Sequence, residues 1–126
     1  MNFLYNFITS VIISFALQSG IPYTTLEKAF VSNDSTEIVS LGKEKILLNV
    51  LGKEGAYSRS QAGLMLKDFF AKKPGGSFKF ILKGKESAES TFAVGNYTCK
   101  SEVFRVTMHF KKYGGDFKME SLSIER

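Results

Sequence analysis

Apolar positions follow a helical period in the first half of the chain and a period of two in the second. Pro22 suits a first helical position, and Leu26, Ala29 and Phe30 then recur at helical spacing. Ser32-Asn33-Asp34 breaks that helix. Asp34 and Glu37 stand three apart like a capping box, opening a short helix that carries Ile38, Val39 and Leu41, with Gly42 as its stop. The run 45–51, bounded by Gly42 and Gly52, predicts a strand. Ser58 and Gln61 form a second capping box. Behind it Ala62, Met65, Leu66, Phe69 and Phe70 make one apolar stripe, so a longer helix is expected over 58–72. Lys72-Lys73-Pro74-Gly75-Gly76 ends it, with cations near the helix C-terminus and then breakers. The string LGKE at 41–44 and again at 51–54 reads as two similar glycine turns rather than a repeat.

From Ser77 the alternation is that of strands. Phe78, Phe80 and Leu82 alternate with Lys79, Ile81 and Lys83, and the segment 91–99 puts Phe92 and Val94 on one face. The segment 103–111 places Phe104, Val106, Met108 and Phe110 together, and 117–125 has Leu122 and Ile124 inward. Tyr113-Gly114-Gly115-Asp116 joins the last two as a hairpin. The predicted order is α, α, β, α and then a four-stranded meander. That is an α+β fold, with a short pair of helices and one long helix covering one face of a curved antiparallel sheet.

The first 26 residues stand apart, because no charged side chain occurs before Glu27. Phe3 to Leu17 is apolar except for Asn6, Thr9, Ser10 and Ser14, too short and too polar for the roughly 20 residues of a spanning helix. Its length suits the core of an export signal over residues 1–20, with exits after Ala16 or near Ser19 and Gly20. Lys and Arg are missing ahead of it, which leaves an amphipathic first helix or a membrane anchor as alternatives. No Cys follows the apolar stretch to accept a lipid. The expected organisation is a signal at 1–20 and one domain at 21–126, exported to a bacterial periplasm or beyond. The single Cys99 suits such a compartment, having no partner with which to mispair.

The order of elements, together with particular strings, resembles the nuclear-transport-factor-two-like fold, also called cystatin-like. More narrowly it resembles a family of small secreted bacterial domains known only as a domain of unknown function. The strings are VLGKEGAYS at 50–58, Gln61-Ala62, LKDFF at 66–70, Ser77-Phe78, Ala93-Val94-Gly95, Phe104-Arg105-Val106 and LSIE at 122–125. The resemblance implies a cone of helices and curved sheet over 21–126, and points to no known activity. Enzymes of the fold use an Asp or a His/Asp pair inside the cone. The inward positions here offer Phe, Val, Met, Leu and Ile.

Candidate chemistry is sparse. His109 is the one histidine, and by alternation it shares a face with Val103, Arg105, Thr107 and Lys111. Glu102, at the far end, is the one acid in that strand, whereas a general base needs an orienting carboxylate within reach. Cys99 beside Lys100 reads as structural. One Cys and one His exclude multi-Cys and multi-His metal cages, and no P-loop or GxGxxG occurs, so neither metal nor cofactor is expected. The net charge is +5. Six lysines against Asp68 alone crowd residues 67–85, but the interleaved Phe69, Phe70, Phe78 and Phe80 fall on the core stripe and the cations are all Lys. A nucleic-acid surface is therefore not expected; the cluster reads first as an ordinary solvated face, with an anionic envelope or glycan partner as the alternative.

The expected function is a non-catalytic exported binding or interaction module. A small isomerase- or dehydratase-like enzyme of the same superfamily and a purely structural homodimer are the alternatives. An apolar pocket for a small ligand is expected in the cone, lined by Met65, Phe69, Phe78, Phe92, Phe104, Val106 and Met108. The other sheet face is expected to pair two copies through Ile81, Tyr97, Arg105, Thr107 and His109. Export itself is testable: protein recovered from its native host is expected to start between Ala16 and Gly20 by intact mass, and full-length chain in the cytoplasm would refute it.

Overall fold

The computed structural model describes residues 20–126; residues 1–19, and with them the expected export signal, lie outside the described residues. Among the described residues three helices and six strands follow one another: α1 (Tyr23–Val31), α2 (Ser35–Ser40), β1 (Gly42–Val50), β2 (Lys53–Ser58), α3 (Arg59–Lys72), β3 (Ser77–Lys83), β4 (Ser90–Cys99), β5 (Glu102–Tyr113) and β6 (Asp116–Glu125). The two capping boxes form as the spacing predicts. Asp34 accepts the Glu37 amide at 3.1 Å, and Ser58 accepts the Gln61 amide at 3.2 Å. Each occupies one of the orphan N–H groups of a first turn.

The six strands make one sheet in the order β2-β1-β6-β5-β4-β3. Two features depart from the expected meander. The segment 53–58 is a strand, pairing antiparallel with β1 from Lys45 opposite Ser58 to Val50 opposite Lys53. Its exposed and half-buried residues have no clear alternation, because this edge strand buries neither face fully and so needs none. The second departure is that β1 pairs with β6 in parallel, with Leu48 beside Leu122 and Val50 beside Ile124. The sheet is therefore mixed, not antiparallel.

The helices cover one face, and the core lies between. Leu26, Phe30, Ile38, Leu66, Phe69 and Phe70 from the helices meet Ile46, Leu48, Phe78, Phe104, Val106, Met108, Met119, Leu122 and Ile124 from the sheet. In β4 the inward set is Thr91, Ala93, Gly95, Tyr97 and Cys99, the opposite of the expected phase. Phe92 is 38% exposed and Tyr97 fully buried. Volume explains the reversal. The Phe78 ring stacks on Phe30 with centroids 4.4 Å apart, and a Cβ at Gly95 would lie 2.4 Å from the Phe78 ring. The space across from these rings admits only small β4 residues, so the bulky Phe92 is turned out. In β3, the register shift between Phe80 and Leu82 likewise puts Leu82 opposite the outward Val94 and out of the core.

Tyr97 is buried because its hydroxyl has work at its far end. It donates to the Lys73 carbonyl at 2.6 Å, and accepts the Gly76 amide at 3.0 Å and the Asn33 amide group at 2.9 Å. Asn33 sits in the left-handed region at φ +56, and its side-chain oxygen accepts the Gly75 amide at 2.9 Å. Cys99 closes the ring from the side, its thiol donating to the Pro74 carbonyl at 3.2 Å. The α1–α2 and α3–β3 connections are thus tied to the sheet through one phenol. Tyr97→Phe leaves the buried Gly76 N–H unpaired, and a loss of about 1–3 kcal/mol is expected in denaturant melts with an unchanged m-value.

Candidate functional site

The two sets of candidate residues separate cleanly between the faces, although not as the sequence assigns them. Of the seven expected to line an apolar cavity, Phe69, Phe78, Phe104, Val106 and Met108 are buried in the continuous core. Rings fill the space: Phe69 meets Phe104 edge-on at 5.2 Å, and Phe78 meets the half-buried Phe80 at 4.9 Å. The cone interior is filled by its own side chains. Met65 is half-buried and borders a surface groove with Phe69. Phe92 leaves the set for the outer face.

On that outer face the β-ladders put side chains into rows. One row runs Ala56, Leu47, Ser121, His109, Phe92 across five strands. The next runs Glu54, Asn49, Ser123, Thr107, Val94, Leu82 across all six. Arg105, Thr107 and His109 lie on this face as expected, and Ile81 is exposed beside it at the β3 bulge. Tyr97 does not, being the core clamp described above. Sequence reasoning missed Leu47, 61% exposed, and its neighbours on β2. The alternation of Leu47 with the buried Ile46 and Leu48 was the available signal, obscured by three successive apolar residues.

Chemically the face is quiet. Glu54 is the one Asp, Glu, Lys or Arg in the two rows; Arg105, Lys79 and Glu125 lie beyond them. His109 packs tilted against Phe92 at 6.3 Å, and its cross-strand neighbour on the other side is Ser121. No carboxylate orients its imidazole among the described hydrogen bonds. The small residues Gly55, Ala56, Ser121 and Ser123 leave a concavity of about 550 Å³ beside Leu47. Among the described residues no group of three or more His, Cys, Asp or Glu is placed to hold a metal ion, and no helix is long and apolar enough to cross a membrane.

The family described as a domain of unknown function, DUF4783, matches residues 23–125. The chain belongs to this family. It is similar to the crystal structure of a DUF4783 protein from Bacteroides uniformis, with 24% identity and a TM-score of 0.76 over 85% of this chain and 97% of that one. A DUF4783 protein from Bacteroides fragilis gives 22% identity and a TM-score of 0.75 over 85% and 99%. A domain of unknown function with a cystatin-like fold from Nostoc punctiforme gives 8% and 0.64, covering 82% of this chain and 72% of that one. At these identities the likeness is one of fold, and it agrees with the α+β cone that the motifs imply. No functionally curated protein matches the chain.

An electrostatic feature of the DUF4783 domain lies away from this surface, on the helix side of the sheet, where Glu102 of β5 meets Lys73 at the end of α3. A hydrogen bond from Lys73 holds the Glu102 carboxyl below the usual carboxylate range, helped by the Lys73 and Arg126 charges against partial desolvation. The Arg126 contact is 3.5 Å. A depressed folded pKa stabilises above the unfolded value and is lost as pH falls through the folded one. The wild type is therefore expected to exceed Glu102→Gln in thermal stability at neutral pH, and the gap to close in strong acid.

Proposed function

We propose that this DUF4783 domain is an exported, non-catalytic interaction module that pairs with a second copy through the outer face of its sheet. The observation that carries the reading is self-complementarity of the central rows. Phe92 stands out at one end of a row, and a concavity beside Leu47 lies near the other. A two-fold axis close to Ser121 and His109, between those ends, would seat each copy's Phe92 beside the other's Leu47. The band between them is hydroxyl-bearing and apolar, with charges kept to the rim, as in the core of an interface. Export is supported by the uncharged apolar N-terminus. A non-catalytic role is supported by the filled cone and by the surroundings of His109.

Sedimentation equilibrium tests the pairing. Wild type is expected to be dimeric at about 100 μM, well above the ~1 μM dissociation constant that corresponds to roughly −8 kcal/mol. Phe92→Glu is expected to weaken association by about thirtyfold or more, the effect of removing a central anchor, while leaving the circular dichroism spectrum unchanged. A monomeric wild type at that concentration overturns the reading.

A further inference from the structure

A second surface feature, away from the outer sheet face, places a residue in a turn whose geometry favours another. The β1–β2 hairpin turns on Leu51 and Gly52, both at positive φ, +51 and +94. A two-residue turn with two positive φ angles favours Asn-Gly or Asp-Gly, because a leucine side chain is crowded in the left-handed region. Leu51 nevertheless holds this position and is 41% exposed, so the core does not require it. It faces a groove of about 380 Å³ between the hairpin and α3, within the range of small-molecule sites.

The groove is apolar along its length and cationic at its rim. Val50 and Leu51 form one wall, and Leu64, Met65 and Phe69 the other. Leu64 is 65% exposed, the most exposed of the large hydrophobic residues, although it lies in the middle of a helix whose apolar stripe is already buried elsewhere. From Leu64 to Lys72 the α3 wall runs about 12 Å at 1.5 Å per residue. Lys72 is neutralised by Asp68 at 3.1 Å. Lys53, at the hairpin side, has no carboxylate partner among the described residues and leaves the rim with one net positive charge.

We infer that this groove binds a single-chain amphiphile with one acidic head, such as a fatty-acid carboxylate, its chain between Leu51 and Leu64 and its head at Lys53. The strained turn is then explained by what it presents: Leu51 supplies a wall that Asn at the same position would remove. Backbone strain held in place for a side chain that the fold leaves exposed is a mark of function. The site is separate from the face proposed for pairing, and its failure would leave that proposal standing.

Calorimetric titration of the full chain with decanoate is expected to saturate one site, with decyltrimethylammonium weaker by about tenfold or more because its head meets Lys53 with like charge. Leu51→Asn is expected to raise the melting temperature, since Asn-Gly suits the turn, and to weaken decanoate by about tenfold, the loss expected when one leucine contact is removed. Leu64→Gln, on an exposed helix position the core does not use, is expected to weaken decanoate to a similar extent without changing the melt, and carries the test if Leu51→Asn does not fold. Absence of saturable decanoate binding to the wild type overturns the inference, as does equal binding of the two head groups. Undiminished affinity in Leu64→Gln overturns it too.

Discussion

The hydroxyl of Tyr97 is the point on which the arrangement of layers depends. Helices can lie on a sheet face at many angles, and apolar contact alone selects weakly among them. Here one phenol, rooted in β4, takes up hydrogen-bonding groups from the loop after α3 and from the loop between α1 and α2. Asn33 repeats the connection by holding Gly75. A buried polar group is costly unless satisfied, so only a packing that brings both loops to Tyr97 is stable. Aromatic contacts then follow from that placement, with Phe69 and Phe70 against the Tyr97 ring at 5.8 and 5.5 Å.

Filling the cone in this way leaves the concavities on the outside. Five of the seven residues expected to line a cavity instead pack on one another, and the concavities described above lie at the sheet's outer face and between α3 and the first hairpin. Both surfaces are marked by apolar side chains that folding does not require: Leu47 and Phe92 on one, Leu51 and Leu64 on the other. Single exposed apolar residues are ordinary, whereas pairs that flank a concavity are less so.

Much of this fold was legible in the chain because its signals are local. Helix caps, the stripe of α3, the β5 alternation and the Gly114-Gly115 hairpin depend on neighbours within a few residues, and all appear where the spacing puts them. What misled was anything decided across the core. In β4 the more hydrophobic positions, Phe92 and Val94, look inward by composition. The rings of Phe30 and Phe78 have already taken that volume, and Ala93 and Gly95 fit where a phenylalanine cannot. The β2 edge strand was hidden by having little to bury. The candidate outer face was only half visible, since Arg105, Thr107 and His109 follow from β5 but Leu47 joins them through a pairing between distant segments.

That pairing has a consequence for how the chain comes to be folded. β1 and β6 are neighbours near the middle of the sheet, hydrogen-bonded in parallel, although one begins the strand sequence and the other ends it. Until β6 has emerged, the β1–β2 hairpin has no partner on its inner edge and the β3–β5 strands form a separate half. A nascent chain therefore carries two open sheet edges through most of its synthesis, and they close together only when the C-terminal residues arrive. Such long-range closure is intrinsically slow. It makes truncation of the last strand far more damaging than trimming of comparable length at a loop.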